Sequence, residues 1–454
     1  MINFEGKKVL VVGLGKSGIA SVELLISLGA LCAVYDTKRI EKVDAKLVEM
    51  FRKNNIDCYF GTEPAQNDIF DVLVLSPGVP PELNFIQRAK QNGSEVIGEM
   101  ELAFIAAKGK FVSITGTNGK TTTTTLVGEM FKNAGKDTFV VGNIGIAATS
   151  VAKDTKDSSW IIAETSSFQL ETIKTFKPYI SAFLNITPDH LDRHKNMHSY
   201  IAAKAKIFEN QDENDYFVIN YDAKEIYGLH TTCKAKVVPF SRVSALEFGA
   251  FVKDGTITIG NKSGETVEIC RTDELLMPGT HNIENALAGA AMAYFAGISA
   301  SVIARTLKTF AGVEHRLEFC RELNGVRFIN DSKGTNPDAS IKAIEAVGGE
   351  IILIAGGYDK NSEFEEFIDA FGDKVKHMVL LGDTAQKIKK TAESKGFDRN
   401  TIVKDMNECV DVAFELAMPG YTVLLSPACA SLDMYSCFEE RGEHFKNCVM
   451  NLES

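Results

Sequence analysis

The chain has 454 residues, with 49 Lys and Arg against 60 Asp and Glu, and a formal net charge of −11. Hydrophobic residues at 45% and charged residues at 24% exclude a disordered chain, and the length calls for roughly two to four domains. The acidic balance argues against a nucleic-acid binder, because neutralising phosphates needs an excess of Lys and Arg. Any anionic substrate must therefore be held by local cations.

The opening Met1–Lys8 carries no apolar leader, and no apolar run reaches the roughly 18 residues of a membrane span. A soluble, cytoplasmic protein is expected. Nine cysteines are scattered without a CxxC pair, so a zinc site is not expected and the thiols read as buried and reduced.

In chain order, Lys7–Val12 reads as a β-branched strand, Ser17–Leu28 as a helix, and Leu31–Tyr35 and Asp71–Leu75 as further strands. The pattern pauses around residues 93–101. It restarts with a strand at Phe111–Thr115 and a Thr-rich helix running toward Lys132, followed by apolar strands at Trp160–Ala163 and Ile180–Leu184. Short alternating runs between about 216 and 272 suggest an antiparallel patch. A small-residue helix at Asn285–Phe295 closes this segment. The third segment repeats the alternation with strands at Phe328–Asn330, Ile351–Ala355, His377–Leu381 and Thr422–Ser426. The fold class is α/β with three domains, 1–97, 98–312 and 313–454: a Rossmann-like first domain, a central P-loop ATPase-type parallel sheet with a small antiparallel patch, and a Rossmann-like last domain.

Four groups of residues carry chemistry. Gly13-Leu14-Gly15-Lys16-Ser17-Gly18 follows a strand and opens a helix, with Asp36 at the end of the next strand. That context suits a diphosphate at a helix N-terminus with Asp36 accepting a hydroxyl or imide hydrogen bond; a ligand-free tight turn is the plainer alternative. Gly116-Thr117-Asn118-Gly119-Lys120-Thr121 is a phosphate loop in which Ile114 stands where the usual pattern has Gly. Lys120 would neutralise charge near the β/γ-phosphates and Thr121 would ligate Mg²⁺. Glu164 ends a buried strand, and Asp189, His190, Asp192 and His194 cluster after another strand end, where hard-metal ligands are expected. The last segment holds Glu314-His315-Arg316, Asn330–Pro337, Gly356–Lys360 and Ser426–Asp433; the last three turns each follow a strand and so converge on one sheet edge.

Taken in order, Gly-Thr-Asn-Gly-Lys-Thr, Glu-Thr-Ser-Ser-Phe-Gln-Leu, Asn-Ile-Thr-Pro-Asp-His-Leu-Asp-Arg-His, Glu-His-Arg and Asn-Asp-Ser-Lys-Gly-Thr-Asn resemble the ATP-dependent Mur ligases of peptidoglycan synthesis. The resemblance runs from about residue 5 to 450. The GxGxxG opening, Asp36-Thr37-Lys38 and the closing Ser-Pro-Ala-Cys-Ala-Ser-Leu-Asp resemble the members that add D-glutamate to UDP-N-acetylmuramoyl-L-alanine.

The resemblance implies roles. The UDP end of the substrate would lie on Gly15, Lys16, Ser17, Asp36, Thr37 and Gly78, with Asn143 reaching the sugar-linked part. ATP phosphates would sit on Gly116, Thr117, Asn118, Gly119, Lys120, Thr121 and Thr122, adenine near Asn282 and Asn285, ribose at Asp331 and the γ-phosphate near Arg316. Two Mg²⁺ ions would be held by Thr121 and Glu164, and by His190 and a carbamylated Lys204. D-glutamate would meet Lys333, Thr335, Lys360, Ser431, Leu432 and Phe438, in a last domain that closes over ATP. Lys120, Glu164, His190 and Lys204 would form the catalytic set. On its residues alone, Lys204 reads instead as a surface lysine paired with Glu209 or a nearby Asp. Small-molecule substrates, no nucleic acid and a monomer are implied.

Other classes predict different behaviour. An NAD-dependent dehydrogenase would use the first turn and leave the phosphate loop idle. A nucleotide-switch module would not need the convergent turns of the last segment. A folate polyglutamylating enzyme resembles the last two segments but does not predict the Rossmann-like opening.

Overall fold

Short β-branched runs alternate with helices through most of the chain, and they assemble into three sheets. The computed structural model describes residues 2–143, 145–261, 263–277, 279–359 and 362–453, with Asp192 described by its backbone alone. Two units are distinguished: Met1–Asp273 with Glu284–Leu307, and Glu274–Ile283 with Lys308–Ser454.

The first unit holds two sheets. Strands β1 (Lys8–Val12), β2 (Leu31–Asp36), β3 (Asp57–Phe60), β4 (Val72–Leu75) and β5 (Glu95–Gly98) run parallel in the order β3-β2-β1-β4-β5. Val9 and Val11 pack with Leu24 and Leu25 on one face, while Leu10 and Val12 pack with Phe85 and Ile86 on the other. Burial on both faces explains why β1 is apolar from Val9 to Val12 rather than alternating. The strand order reverses between β1 and β4, which leaves a crevice beyond their C-terminal ends, where Gly13–Gly15 and Ser76–Gly78 lie.

The second sheet has nine strands: β6 (Lys110–Thr115), β7 (Thr138–Gly142), β8 (Trp160–Glu164), β9 (Ile180–Phe183), β10 (Tyr216–Asn220), β11 (Lys236–Ser241), β12 (Gly249–Lys253), β13 (Thr256–Gly260) and β14 (Thr266–Arg271). Their order is β14-β13-β12-β11-β10-β9-β6-β8-β7. In register Ile114 faces Glu164 and Thr115 faces Phe183, so the segments after β6, β8 and β9 emerge at one edge. That edge carries the phosphate loop.

Two local expectations are corrected. The antiparallel patch begins at β12, not near residue 216: β10 and β11 pair in parallel with the main sheet. A short apolar run bounded by turns does not encode its partner's direction. The pause at 93–101 is in fact β5 followed by the helix Glu99–Ala106. With only Val96 and Ile97 apolar, β5 gives no apolar run to read. Two buried carboxylates on that helix brace the sheets. Glu101 accepts from the amides of Lys174 (2.8 Å), Thr175 (2.7 Å) and Phe176 (2.9 Å), and Glu99 accepts from the Thr149 amide (2.8 Å) and hydroxyl (3.0 Å).

The second unit carries β15 (Glu318–Leu323), β16 (Val326–Asn330), β17 (Ile351–Ala355), β18 (Val375–Leu380), β19 (Asn400–Ile402) and β20 (Thr422–Leu425), ordered β15-β16-β20-β17-β18-β19. The β15–β16 hairpin is antiparallel and the remaining pairs are parallel. Asn330 and Ile354 both face Leu425 in register, so Asp331, Ser426 and Gly356 follow at one edge.

Candidate active site

The phosphate loop joins β6 to the helix Lys120–Asn133. The first intrahelical bond of that helix runs from the Thr123 amide to the Gly119 carbonyl, 2.9 Å. The amides of Thr121 and Thr122 therefore stand at the helix N-terminus, the end that attracts anions. Thr122 is itself buried. Gly119 adopts φ 78°, and a Cβ there would lie 2.3 Å from Asn285 Oδ1. Only glycine suits both the left-handed backbone and that approach.

The loop is braced by a segment read from sequence as metal-binding. Asn185 Oδ1 accepts from the Asn118 amide (2.9 Å) and its Nδ2 donates to the Asn118 carbonyl (3.0 Å). The Thr187 amide donates to Thr117 Oγ1 (3.0 Å), and that hydroxyl donates to the Thr187 carbonyl (3.1 Å). Sequence reasoning passed over Asn185 and Thr187; their place within the same motif was the available signal.

At the end of β8, Glu164 is 2% exposed. Its Oε2 accepts from Thr121 Oγ1 and its Oε1 from Asn143 Nδ2, each at 2.8 Å. One carboxylate thus joins the phosphate loop to the loop after β7. Lys120 Nζ donates to the carbonyls of Gly116 (3.0 Å) and Thr117 (2.7 Å). Lys204 Nζ donates to that same Gly116 carbonyl at 2.7 Å and lies over the Tyr200 ring, 4.6 Å from its centroid. Lys204 is 2% exposed, which overturns the surface-lysine reading. Burial, and then the Lys120 ammonium, hold its amine well below the usual lysine range, against the opposing pull of Asp189 and Glu164.

His190 has φ 53° and its Nε2 lies 3.5 Å from Asp189 Oδ2, with the side chain 41% exposed. His194 turns the other way. It is buried, 2.9 Å from Ser167 Oγ, and stacked on Phe168 at 5.5 Å. The cluster read from sequence therefore divides into one accessible histidine and one structural one.

In the crevice of the first sheet, Gly15 caps the helix Lys16–Ser27; Gly15, Lys16, Thr37 and Gly78 are exposed, and Ser17 is half-buried. Asp36 is buried, its oxygens accepting from the Leu14 amide (2.8 Å) and the Lys38 amide (2.9 Å). It shapes the loop first. Gly18 is required by contact, since a Cβ would lie 1.9 Å from the Gly13 carbonyl oxygen.

In the second unit, Asp331 is fully buried; Oδ2 accepts from Ser426 Oγ at 2.8 Å, and Arg316 Nη1 lies 3.9 Å from Oδ1. Burial pushes its carboxyl up to about 6, with Arg316 and the Ser426 bond opposing. Lys333 Nζ lies 5.1 Å from the Phe438 ring centroid, Ser431 is buried and Leu432 is exposed. Thr335 donates its amide to the Lys333 carbonyl, 2.9 Å. The contacts thus join Arg316, Asp331 and Ser426 at the strand ends, and Lys333 to Phe438. Lys360 lies outside the described residues. Of the two candidate adenine residues on the helix Thr280–Phe295, Asn282 groups with the second unit and Asn285 with the first.

Sequence reasoning missed Arg441. It is 2% exposed and donates to Ser332 Oγ (3.0 Å) and to the carbonyls of Ser332 (2.8 Å), Cys429 (3.1 Å) and Ala430 (3.2 Å). It fixes two of the three convergent turns. Nearby, Glu314, His315 and Glu443 cluster, but Lys446 Nζ sits 2.5 Å from Glu314 and 2.6 Å from Glu443. That ammonium supplies a cation there.

Three family models match in succession: Mur ligase MurD-like, N-terminal domain, over residues 7–98; Mur ligase middle domain over 114–293; and Mur ligase, glutamate ligase domain, over 315–429. A relative named UDP-N-acetylmuramoylalanine–D-glutamate ligase, from Thermoanaerobacter pseudethanolicus, is 51% identical over 454 residues, covering 99% of this chain and 100% of its own. One of the same name from Alkaliphilus oremlandii is 50% identical with the same coverage. A solved pseudomurein peptide ligase type C from Methanothermus fervidus is 17% identical and shares the fold, with a TM-score of 0.61 over 99% of this chain and 100% of that one. Full-length identity to those relatives, with the family models matched in order along the chain, leaves one conclusion: the chain belongs to the Mur ligase family.

Proposed function

We propose that the chain joins the amine of D-glutamate to the carboxylate of UDP-N-acetylmuramoyl-L-alanine, consuming ATP and releasing ADP and phosphate. The observation that carries this reading is the Thr121–Glu164–Asn143 link, in which one buried carboxylate connects the phosphate loop to the loop after β7. The names of the 51% and 50% identical relatives support the choice of substrates.

A carboxylate does not condense with an amine at neutral pH, so its oxygen first attacks the γ-phosphorus of ATP. The acyl phosphate that forms is attacked by the glutamate amine, which loses a proton; the tetrahedral intermediate collapses and phosphate leaves. Lys120 and the helix N-terminus would hold the ATP phosphates, and Arg316 would meet the γ-phosphate as charge develops. Asp331 would accept from ribose hydroxyls, with adenine near Asn282 and Asn285. Lys333, Thr335, Lys360, Ser431, Leu432 and Phe438 would hold D-glutamate. The uridine end would lie along Gly15, Lys16, Ser17, Asp36, Thr37 and Gly78, with Asn143 on the sugar side.

The donors fit magnesium: Thr121 Oγ1 and Glu164 Oε2, 2.8 Å apart at a strand end, are the hard oxygens that Mg²⁺ prefers. Bound there, Mg²⁺ would polarise phosphoryl oxygens and neutralise charge. A second ion would need His190 and an oxygen donor at Lys204. Its buried amine, held below the usual range, is suited to attack CO₂; the amine proton leaves and a carbamate oxygen takes the place of the ammonium.

The reading places the chain in the cytoplasm as a monomer. No helix among the described residues is long and apolar enough to cross a membrane. ADP and phosphate release should require UDP-N-acetylmuramoyl-L-alanine and D-glutamate together. Equal turnover with L-glutamate, or release without the nucleotide substrate, would remove the assignment.

A further inference from the structure

Arg193 has none of the roles assigned above. It lies in the one-turn helix Leu191–His194, which opens at His190. Its guanidinium carbon sits 4.4 Å from the centroid of the Phe168 ring, and the same ring meets His190 at 4.8 Å and His194 at 5.5 Å. Its Nη2 donates to Glu171 Oε2 at 2.5 Å and to the Val79 carbonyl at 3.4 Å. Both Arg193 and Glu171 side chains are 19% exposed, so the pair is largely withdrawn from water.

Each acceptor belongs to a different part of the first unit. Glu171 ends the helix Ser167–Glu171 that follows Glu164, and its carbonyl also accepts from Lys206 Nζ at 3.0 Å, two residues past Lys204. Val79 follows Gly78 in the crevice of the first sheet. Its amide donates to the Ser76 carbonyl (2.9 Å), and Ser76 Oγ donates to the Gly13 carbonyl (2.8 Å). A line of contacts therefore runs from the glycine turn after β1, through Ser76 and Val79, to Arg193, and on to Phe168 and His190.

We propose that Arg193 is a positioning residue that ties the His190 loop to the turn bearing Gly78, so that the nucleotide-substrate crevice and the metal-binding strand end keep one register. The inference rests on the ligase reading for what those two places bind. Arginine suits the task because its two Nη2 hydrogens reach two acceptors while its plane covers an aromatic ring. A lysine ammonium has the charge without the stacking plane.

The test uses the full-length protein with Arg193→Met, Arg193→Lys and Glu171→Gln. UDP alone is the calorimetric probe of the crevice, and half-saturating Mg²⁺ in the ligation assay reports on the metal site. Arg193→Met should weaken UDP binding and raise half-saturating Mg²⁺ by about three- to tenfold each, with the KM for D-glutamate within about twofold of wild type. Arg193→Lys and Glu171→Gln should fall between the two. Wild-type UDP affinity and Mg²⁺ dependence in Arg193→Met would overturn the proposal, whatever its melting temperature. So would an equal loss in every parameter, D-glutamate included, which marks general destabilisation. Should Arg193→Met fail to fold, Arg193→Lys decides by the same readouts. If the wild type does not ligate, the ligase reading fails on its own, and the UDP titrations still decide the bridge to the crevice.

Discussion

At the scale of single residues, two ammonium groups share one carbonyl. Lys120 and Lys204 both donate to the Gly116 oxygen, at 3.0 and 2.7 Å. Burial, and then the Lys120 ammonium, hold the Lys204 amine well below the usual lysine range; two unit charges about 4 Å apart repel by about 4 kcal/mol at an effective dielectric near 20. Lys204→Ala should be nearly inactive and partly rescued by added acetate; wild-type turnover in that variant would end the carbamate reading. Lys120→Ala should abolish ligation yet leave UDP-substrate binding intact by titration, because the crevice of the first sheet does not use its charge. Asp331 yields a pH prediction with a definite sign. Its carboxyl is raised from 3.8 to about 6 in the folded chain, so between those values the folded state binds more protons than the unfolded one. Stability from this group is therefore present below about pH 4 and is lost as pH rises through 6, by on the order of 3 kcal/mol. Asp331→Asn should match the wild type near pH 4 and be the more stable at pH 8 in calorimetric melts, while binding ATP less well.

At the scale of elements, the phosphate loop depends on a helix far away in sequence. Gly119→Ala would force an L-residue to φ 78° and place its Cβ 2.3 Å from Asn285 Oδ1. The backbone strain alone costs about 1–3 kcal/mol, and the clash adds to it. ATP affinity should fall by at least tenfold. Adding Asn285→Ala should relieve the clash but not the strain, so the double variant should recover only part of the melting temperature lost. Full recovery, or none, would show that one of the two causes has been misjudged. The strands themselves were readable where apolar, β-branched-rich residues dominate the run, as at β1, β4, β8, β9 and β17. β5 (Glu-Val-Ile-Gly) and β19 (Asn-Thr-Ile) were not, because one or two apolar residues between polar or glycine neighbours give no apolar run to read.

At the scale of the whole molecule, the proposed reaction would divide between two units. Lys120 and Glu164 belong to the first, while Arg316, Asp331 and Lys333 belong to the second. One ATP must serve both groups if the acyl phosphate is to meet the glutamate amine, so ligand binding should be accompanied by domain closure. Small-angle scattering of the enzyme with UDP-substrate, a non-hydrolysable ATP analogue and D-glutamate should differ from that of the free enzyme. Identical profiles would count against the shared-ATP reading.

The sequence by itself determined the features that live within a few consecutive residues. A strand, a glycine turn and a helix N-terminus are local matters of φ, hydrogen-bond donors and apolar period, so Gly13–Gly18, Gly116–Thr121 and the strand-end position of Glu164 were legible without coordinates. What surrounds a side chain is settled between distant segments. Lys204 is a surface lysine or a buried amine according to whether Gly116 and Tyr200 enclose it. His190 and His194, four residues apart, both touch Phe168, yet take opposite fates because only the second is buried against Ser167. Arg441 and Arg193 carry no motif, and each matters through carbonyls more than ten residues away, at Cys429 and Ser332 for one and Val79 for the other. Burial and hydrogen-bond partnership are properties of the folded neighbourhood, and parallel strands assemble that neighbourhood from stretches of chain that share no local signal.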